Sequence, residues 1–158
     1  MHPYLWGPQA WHFLHSLTFN YPSRPLVSDK QKMLQFLISL GDVLPCEKCA
    51  AHFREQMQKF PPALDSKAEF MQWMVDTHNR VNVKNGKRMY TLPEVQAIYK
   101  ERYDQALARV PANDPSGHEK PENADVYFKY GAATQSKTAT AGLVATVVGI
   151  ATFLILRR

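Results

Sequence analysis

The chain predicts an all-α fold: a four-helix bundle with a short fifth helix, followed by a C-terminal transmembrane helix. Three observations carry this expectation. Apolar residues recur three and four apart along successive stretches, and several stretches open with Ser or Thr followed three residues later by Glu or Gln. No segment alternates polar and apolar residues long enough to read as a strand.

The first helix is expected from Gly7 to Thr18, where Trp11, Leu14, His15 and Thr18 share one face. Pro8 then falls in the first turn, where its missing N–H does no harm, and Asn20-Tyr21-Pro22 ends the helix. Ser28-Asp-Lys-Gln31 is a capping-box pattern for the second, whose apolar face runs through Met33, Phe36, Leu37, Leu40 and Leu44 to Pro45. Beyond Pro45, the residues Cys46, Cys49, Ala50, Phe53 and Met57 line up as one face of a third helix. Ser66-Lys-Ala-Glu69 opens a fourth, with Phe70, Trp73, Met74, Thr77, His78 and Val81 as its stripe and Asn85-Gly86 as its stop. Thr91-Leu-Pro-Glu94 opens the last, facing inward through Leu92, Val95, Ile98 or Tyr99, and Arg102. Together these segments make one globular domain over residues 1–109.

Residues 110–138 are rich in Pro, Asn, Asp, Ser, Gly and Lys and are expected to form a disordered linker, since such a segment buries too little apolar surface to offset its ordering entropy. Residues 139–156 carry no charge and lie between Lys137 and Arg157-Arg158. As a helix they would span roughly 27 Å, near the hydrocarbon thickness of a thin bilayer. With no secretory signal in Met1 to His15 and only Arg157 and Arg158 beyond the span, the expectation is a tail-anchored domain facing the cytosol or an equivalent space. The net charge of +5 is spread along the chain without a basic stripe or a nucleic-acid-binding module, so nucleic acid is not an expected partner.

Cys46 and Cys49 are the only cysteines. A disulfide closing so short a loop constrains little chain, so the pair reads as chemistry and not as a staple. At a helix N-terminus, unpaired N–H groups and the helix dipole lower a thiol pKa, which suits a disulfide that is repeatedly reduced and reformed. Electrons delivered there need an acceptor. Trp11, His15, Tyr21, His52, Trp73, His78, Asn79, Asn82, Lys87 and Tyr99 supply ring stackers, amides and a cation suited to an aromatic, phosphate-bearing cofactor. A zinc-binding interaction module on a membrane anchor, using Cys46, Cys49 and His52, is the alternative, although its spacing matches no common structural zinc pattern.

Trp6-Gly-Pro-Gln-Ala-Trp11-His-Phe-Leu-His15, Tyr21-Pro22, Cys46-x-x-Cys49-x-x-His52-Phe53 and His78-Asn79-x-Val81-Asn82-x-Lys84-x-Gly86-Lys87 follow in order. This run resembles the Erv/ALR family of FAD-linked sulfhydryl oxidases over about residues 5–104, and among them the membrane-anchored members of large cytoplasmic DNA viruses. The resemblance implies a helical cage enclosing FAD. It also implies electron flow from a substrate dithiol to Cys46–Cys49, then to FAD, then to O2, with H2O2 produced. In that scheme Cys46 exchanges with incoming thiols and Cys49 lies against the flavin. Gly7, Trp11, His15, Tyr21, His52, His78, Asn79, Val81, Asn82, Lys84 and Lys87 would bind the cofactor, and Tyr99 would stand where the family often has Trp.

Two departures follow from the same resemblance. The disulfide that ties down the last helix in cellular members is missing, its positions falling on Val75 and Leu92, and so is a shuttle cysteine pair. The implied partners are a thiol-bearing protein, such as a thioredoxin-like one, together with O2, a host or virion membrane, and a second copy of the chain packed through the first helices.

Overall fold

The computed structural model describes residues 1–111, which form five α-helices. The apolar span at 139–156 and nearly all of the 110–138 linker lie outside the described residues. Among residues 1–111, no helix is long and apolar enough to cross a membrane.

Helix α1 runs Pro3–Asn20, a turn earlier than the expected start at Gly7. Pro3 takes the first helical position, where no N–H is needed, and Nδ1 of His2 accepts the Tyr4 N–H at 3.4 Å. Pro8 consequently sits inside the helix and denies the Tyr4 carbonyl its usual donor. Tyr4 is on the surface, so water can take that place. Helix α2, Val27–Val43, begins by a different device from the Ser28 cap expected: the Asp29 carboxylate accepts the Leu26 N–H at 2.9 Å.

Helix α3, Glu47–Lys59, lies against α2. Gly41 permits the approach, because a Cβ there would meet Arg54 Cγ at 3.1 Å and Phe53 Cδ1 at 3.4 Å. Arg54 spans the gap and donates to the Gly41 carbonyl at 2.8 Å. Helix α4, Lys67–Lys84, opens on the expected cap, with Ser66 Oγ accepting the Glu69 N–H at 3.2 Å. It closes at Asn85 and Gly86, the latter at φ +64°, a left-handed conformation that glycine adopts without strain.

Helix α5, Leu92–Arg109, opens on a reciprocal pair: the Thr91 N–H donates to Glu94 at 2.7 Å and the Glu94 N–H to Thr91 Oγ1 at 3.4 Å. With 18 residues it is as long as α1 and α4, not short. Its apolar face fades after the first turns. The Lys100–Asp104 ion pair at 3.0 Å and the Gln105–Glu101 hydrogen bond at 3.1 Å, each four residues apart, carry the helix through its polar half.

Helix α1 packs along α4, and α4 also meets α5. The main core gathers Leu14, Leu37, Phe53, Leu64, Phe70, Trp73 and Met74. Burying each such side chain contributes about 1.5–3 kcal/mol. A second cluster holds Phe19, Met71, Val75 and Val95, with Tyr90, Leu92 and Tyr99 against it. Val75 and Leu92, where the resemblance implies a missing disulfide, share an apolar cluster that docks α5.

Tyr21 also belongs to the main core. Its hydroxyl donates to the Leu64 carbonyl at 3.0 Å and its ring stands edge-on to Phe70 at 5.0 Å. Burial, helped by the charges of Asp29 and Asp65, pushes its pKa up to about 12.

Candidate functional site

Cys46 is the N-cap residue of α3, extended at φ −146° and ψ 108°, and it is joined to Cys49 in a disulfide with a Cα–Cα separation of 5.2 Å. The geometry at the helix mouth is that of an anion site. The Cys49 N–H reaches Cys46 Sγ at 3.3 Å, so in the reduced state the same donor and the helix dipole favour a thiolate at Cys46. Between the cysteines, Glu47 is drawn sideways to Arg54 at 3.0 Å. With both sulfurs joined to each other, the thiolate ligands that a zinc site would need are committed elsewhere, and among the described residues no group of side chains is arranged to hold a metal ion.

Behind the disulfide lies a cavity of about 940 Å³ lined from all five helices, with Leu40 contributed by α2. Cys49 lines it and Cys46 does not, so the disulfide lies at the cavity's edge, with both cysteines half-buried. Gly7, Trp11 and His15 line it from α1, His52 from α3, and His78, Asn79, Val81, Asn82 and Lys84 from α4, with Lys87 after α4 and Tyr99 from α5. Tyr21 is outside the cavity, and its contribution is to hold the core beneath it.

The aromatic wall is continuous. Trp11 and His78 stack with centroids 4.1 Å apart, and Tyr99 lies 5.4 Å from His15 and 5.2 Å from Phe19. His15 Nε2 and His78 Nδ1 meet at 3.0 Å, one donating and the other accepting. Burial, with the nearby charges of His78 and His12, lowers the His15 pKa to about 3; burial and Lys87 lower that of His78 to about 4. Both rings are neutral near pH 7. Burial and then Lys84 lower the His52 pKa as well. Burial pushes the Tyr99 hydroxyl up to about 12 despite Arg102, so it too stays neutral.

Positive charge enters at the end of α4 and in the segment that follows it. Arg88 is neutralised by Glu94 at 2.7 Å, whereas neither Lys84 nor Lys87 has a carboxylate within 4 Å among the described residues. Asn79 fixes this segment. Its amide donates to the Tyr90 carbonyl at 2.8 Å and its oxygen accepts the Tyr90 N–H at 2.9 Å, so its hydrogen-bonding capacity serves the cavity wall. The Asn82 carbonyl accepts the Lys87 N–H at 2.8 Å and orients the lysine's backbone.

Several lining residues escape sequence reasoning. His12, exposed on α1, stacks on Tyr99 at 5.2 Å and meets Arg102 Nη1 at 3.4 Å. Gln56 lies about two turns beyond Cys49 on the same face of α3, and Trp6 lies beside Gly7. Trp6 Nε1 and Gln56 Oε1 are both buried, and neither has a protein hydrogen-bond partner. Tertiary packing brings these groups, from α1 and α3, to the one cavity. Trp6 also opens the ordered run of residues that carries the resemblance, whereas nothing in the sequence marks Gln56.

Residues 8–104 match the model of the Erv1/Alr family. The chain is 38% identical over 104 residues to a probable FAD-linked sulfhydryl oxidase of Acanthamoeba polyphaga mimivirus, covering 63% of this chain and 73% of that protein. It is 31% identical over 99 residues to the mitochondrial FAD-linked sulfhydryl oxidase ERV1 of Saccharomyces cerevisiae, covering 63% and 52%. An African swine fever virus FAD-linked sulfhydryl oxidase is 28% identical over 96 residues, covering 61% and 81%. The crystal structure of the FAD-binding domain of Saccharomyces cerevisiae Erv1 superposes with a TM-score of 0.59 at 30% identity, covering 66% of this chain and 96% of that one. The chain spans about half the length of the yeast and plant relatives.

Proposed function

The chain belongs to the Erv1/Alr family, and on that premise we propose that it is an FAD-linked sulfhydryl oxidase making disulfides in protein substrates. The observation that carries this reading is the position of the Cys46–Cys49 disulfide, of which Cys49 lines a large aromatic cavity and Cys46 does not. The overall reaction balances as one substrate dithiol plus O2 giving one disulfide plus H2O2.

The residues present fit the cofactor. A Cβ built at Gly7 meets no protein atom within 4 Å, so the cavity is open at the point where α1 lines it. The walls offer flat rings for stacking, two lysines without carboxylate partners for phosphate, and the buried donor of Trp6 with the buried acceptor of Gln56. Bound FAD supplies two-electron chemistry between thiols and O2. The chain's own residues do the rest. Cys46 exchanges with the incoming thiolate through a mixed disulfide, its leaving group stabilised by the Cys49 N–H. Cys49, facing the cavity, is the sulfur that passes electrons inward. Trp11, Tyr99 and the neutral His15–His78 pair hold the rings and keep charge away from them. Lys84 and Lys87 hold phosphate, and Val81 closes the wall between them and His78.

The wider setting is part of the same proposal. The uncharged run at 139–156 anchors the domain in a membrane, with the oxidase facing the cytosol or an equivalent space. Phe13 is 54% exposed on α1 and meets Phe36 of α2 edge-on at 6.2 Å, an apolar surface that supports a homodimer through the first helices. The substrate brings its own dithiol, as a thioredoxin-like protein does.

An absorption spectrum of the purified chain tests the core of the reading. A flavin band that bleaches under dithiothreitol without O2 and returns with air is the expected result. Colourless protein with stoichiometric zinc would instead revive the metal-binding alternative.

A further inference from the structure

We infer that Trp6 positions the cofactor, its indole N–H donating a hydrogen bond to the flavin half of bound FAD. The inference rests on the oxidase reading and adds to it a side chain that stacking and charge do not account for. An indole nitrogen can only donate. Where Trp73 is buried, the fold provides an acceptor: its Nε1 donates to the Phe60 carbonyl at 2.9 Å. Trp6 Nε1 is buried too, has no protein acceptor, and belongs to a residue lining the cavity. Buried donors are satisfied in native structures, so the acceptor must come from what enters the cavity.

Position selects the half of the cofactor. The Met1 nitrogen donates to the Pro45 carbonyl at 2.6 Å, which sets the start of α1 beside the residue preceding Cys46. Trp6 is less than a turn further along α1, whereas His12 lies roughly 9 Å beyond Trp6 along the axis, against Tyr99 of α5. Electrons arrive through Cys49, so the redox ring belongs at the disulfide end, with Trp6 beside it. That ring carries carbonyl oxygens and ring nitrogens able to accept. A donor to them favours the electron-rich reduced form.

The test compares the unaltered full chain with W6F, which keeps an aromatic ring and loses the N–H, by measuring affinity for FAD, riboflavin and ADP separately. W6F is expected to weaken FAD and riboflavin about tenfold (about 1.4 kcal/mol) and to leave ADP unchanged. The flavin reduction potential should also fall. Riboflavin binding unchanged in W6F, or ADP weakened as much as riboflavin, overturns the assignment.

A second measurement needs no variant. Riboflavin should slow hydrogen exchange at the Trp6 indole of the unaltered chain while leaving the Trp73 indole as it was; unchanged Trp6 exchange overturns the assignment even if W6F does not fold. Failure of the unaltered chain to bind any flavin sinks the oxidase reading itself. An indifferent W6F beside normal FAD binding sinks only the role of Trp6.

Discussion

Trp11 and His78 lie ring upon ring, with planes 5° apart, so an aromatic contact inside the cavity joins α1 to α4. His78 also holds the buried His15 at 3.0 Å. His78→Ala removes both contacts, and the stack and the hydrogen bond together should cost about 2 kcal/mol. FAD retention should fall roughly tenfold, because the wall that remains is neither flat nor fixed. Flavin content per chain after dialysis measures this; full retention would contradict the placement.

The same histidines predict how stability depends on pH. Their pKa values in the folded chain, about 3 for His15 and about 4 for His78, lie below the ordinary 6.5. Unfolded chains therefore bind protons first as pH falls through 6.5, and the stability present above that pH is lost progressively toward pH 3–4. Denaturant titrations of the cofactor-free chain at pH 7.5 and 5 should show a lower midpoint at pH 5. His15→Gln should flatten the difference.

The two sulfurs should respond differently to removal. Cys49→Ser should abolish O2 consumption with dithiothreitol while the chain stays yellow, because the cavity is otherwise intact. Cys46→Ser should abolish oxidation of protein thiols and also retain flavin. Loss of flavin in either variant would point to a structural role for the disulfide.

Tyr21→Phe should lower stability by about 1–2 kcal/mol, since it leaves the Leu64 carbonyl without its buried donor, and should leave FAD affinity unchanged. Thermal melting and flavin titration of the same sample separate these effects. A tenfold loss of affinity would return Tyr21 to the cavity lining.

Tyr21 illustrates what sequence could and could not disclose. Its place in an ordered set of cofactor residues suggested a ligand, yet the turn after α1 aims the ring at Phe70, and only tertiary packing decides that. Local chemistry was readable where it is self-contained: Ser66–Glu69 and Thr91–Glu94 each satisfy their own helix end. Pro8 misled because proline fits best in a first turn, while Pro3 already occupied that role. The polar half of α5 has no apolar stripe, and its length rests on side-chain pairs that periodicity does not register. His12 and Arg102 are 90 residues apart and meet only across α1 and α5.

Replacing Val75 and Leu92 together by cysteine should restore a covalent tie where an apolar cluster now holds α5. If the bond forms, closing a loop of this length should add roughly 3 kcal/mol. Melting temperatures under oxidising and reducing conditions measure the gain; equal values with thiols shown to be joined would mean strain cancels it.

That noncovalent docking has a consequence for the life of the molecule. Helix α5 supplies the Tyr99 wall and is held without a covalent tie, by packing and by polar contacts such as that of Arg102 with His12, so its local opening takes less free energy than unfolding the whole domain. A ligand clasped between α5 and the rest acts as a splint and shifts that opening equilibrium toward closed. Chains that have not yet acquired flavin thus present Lys100, Arg102 and Arg109 to trypsin-like proteases far more often than loaded ones. Turnover in a flavin-poor compartment then falls selectively on the empty copies, and the absence of one covalent bond becomes a sorting step between finished and unfinished enzyme.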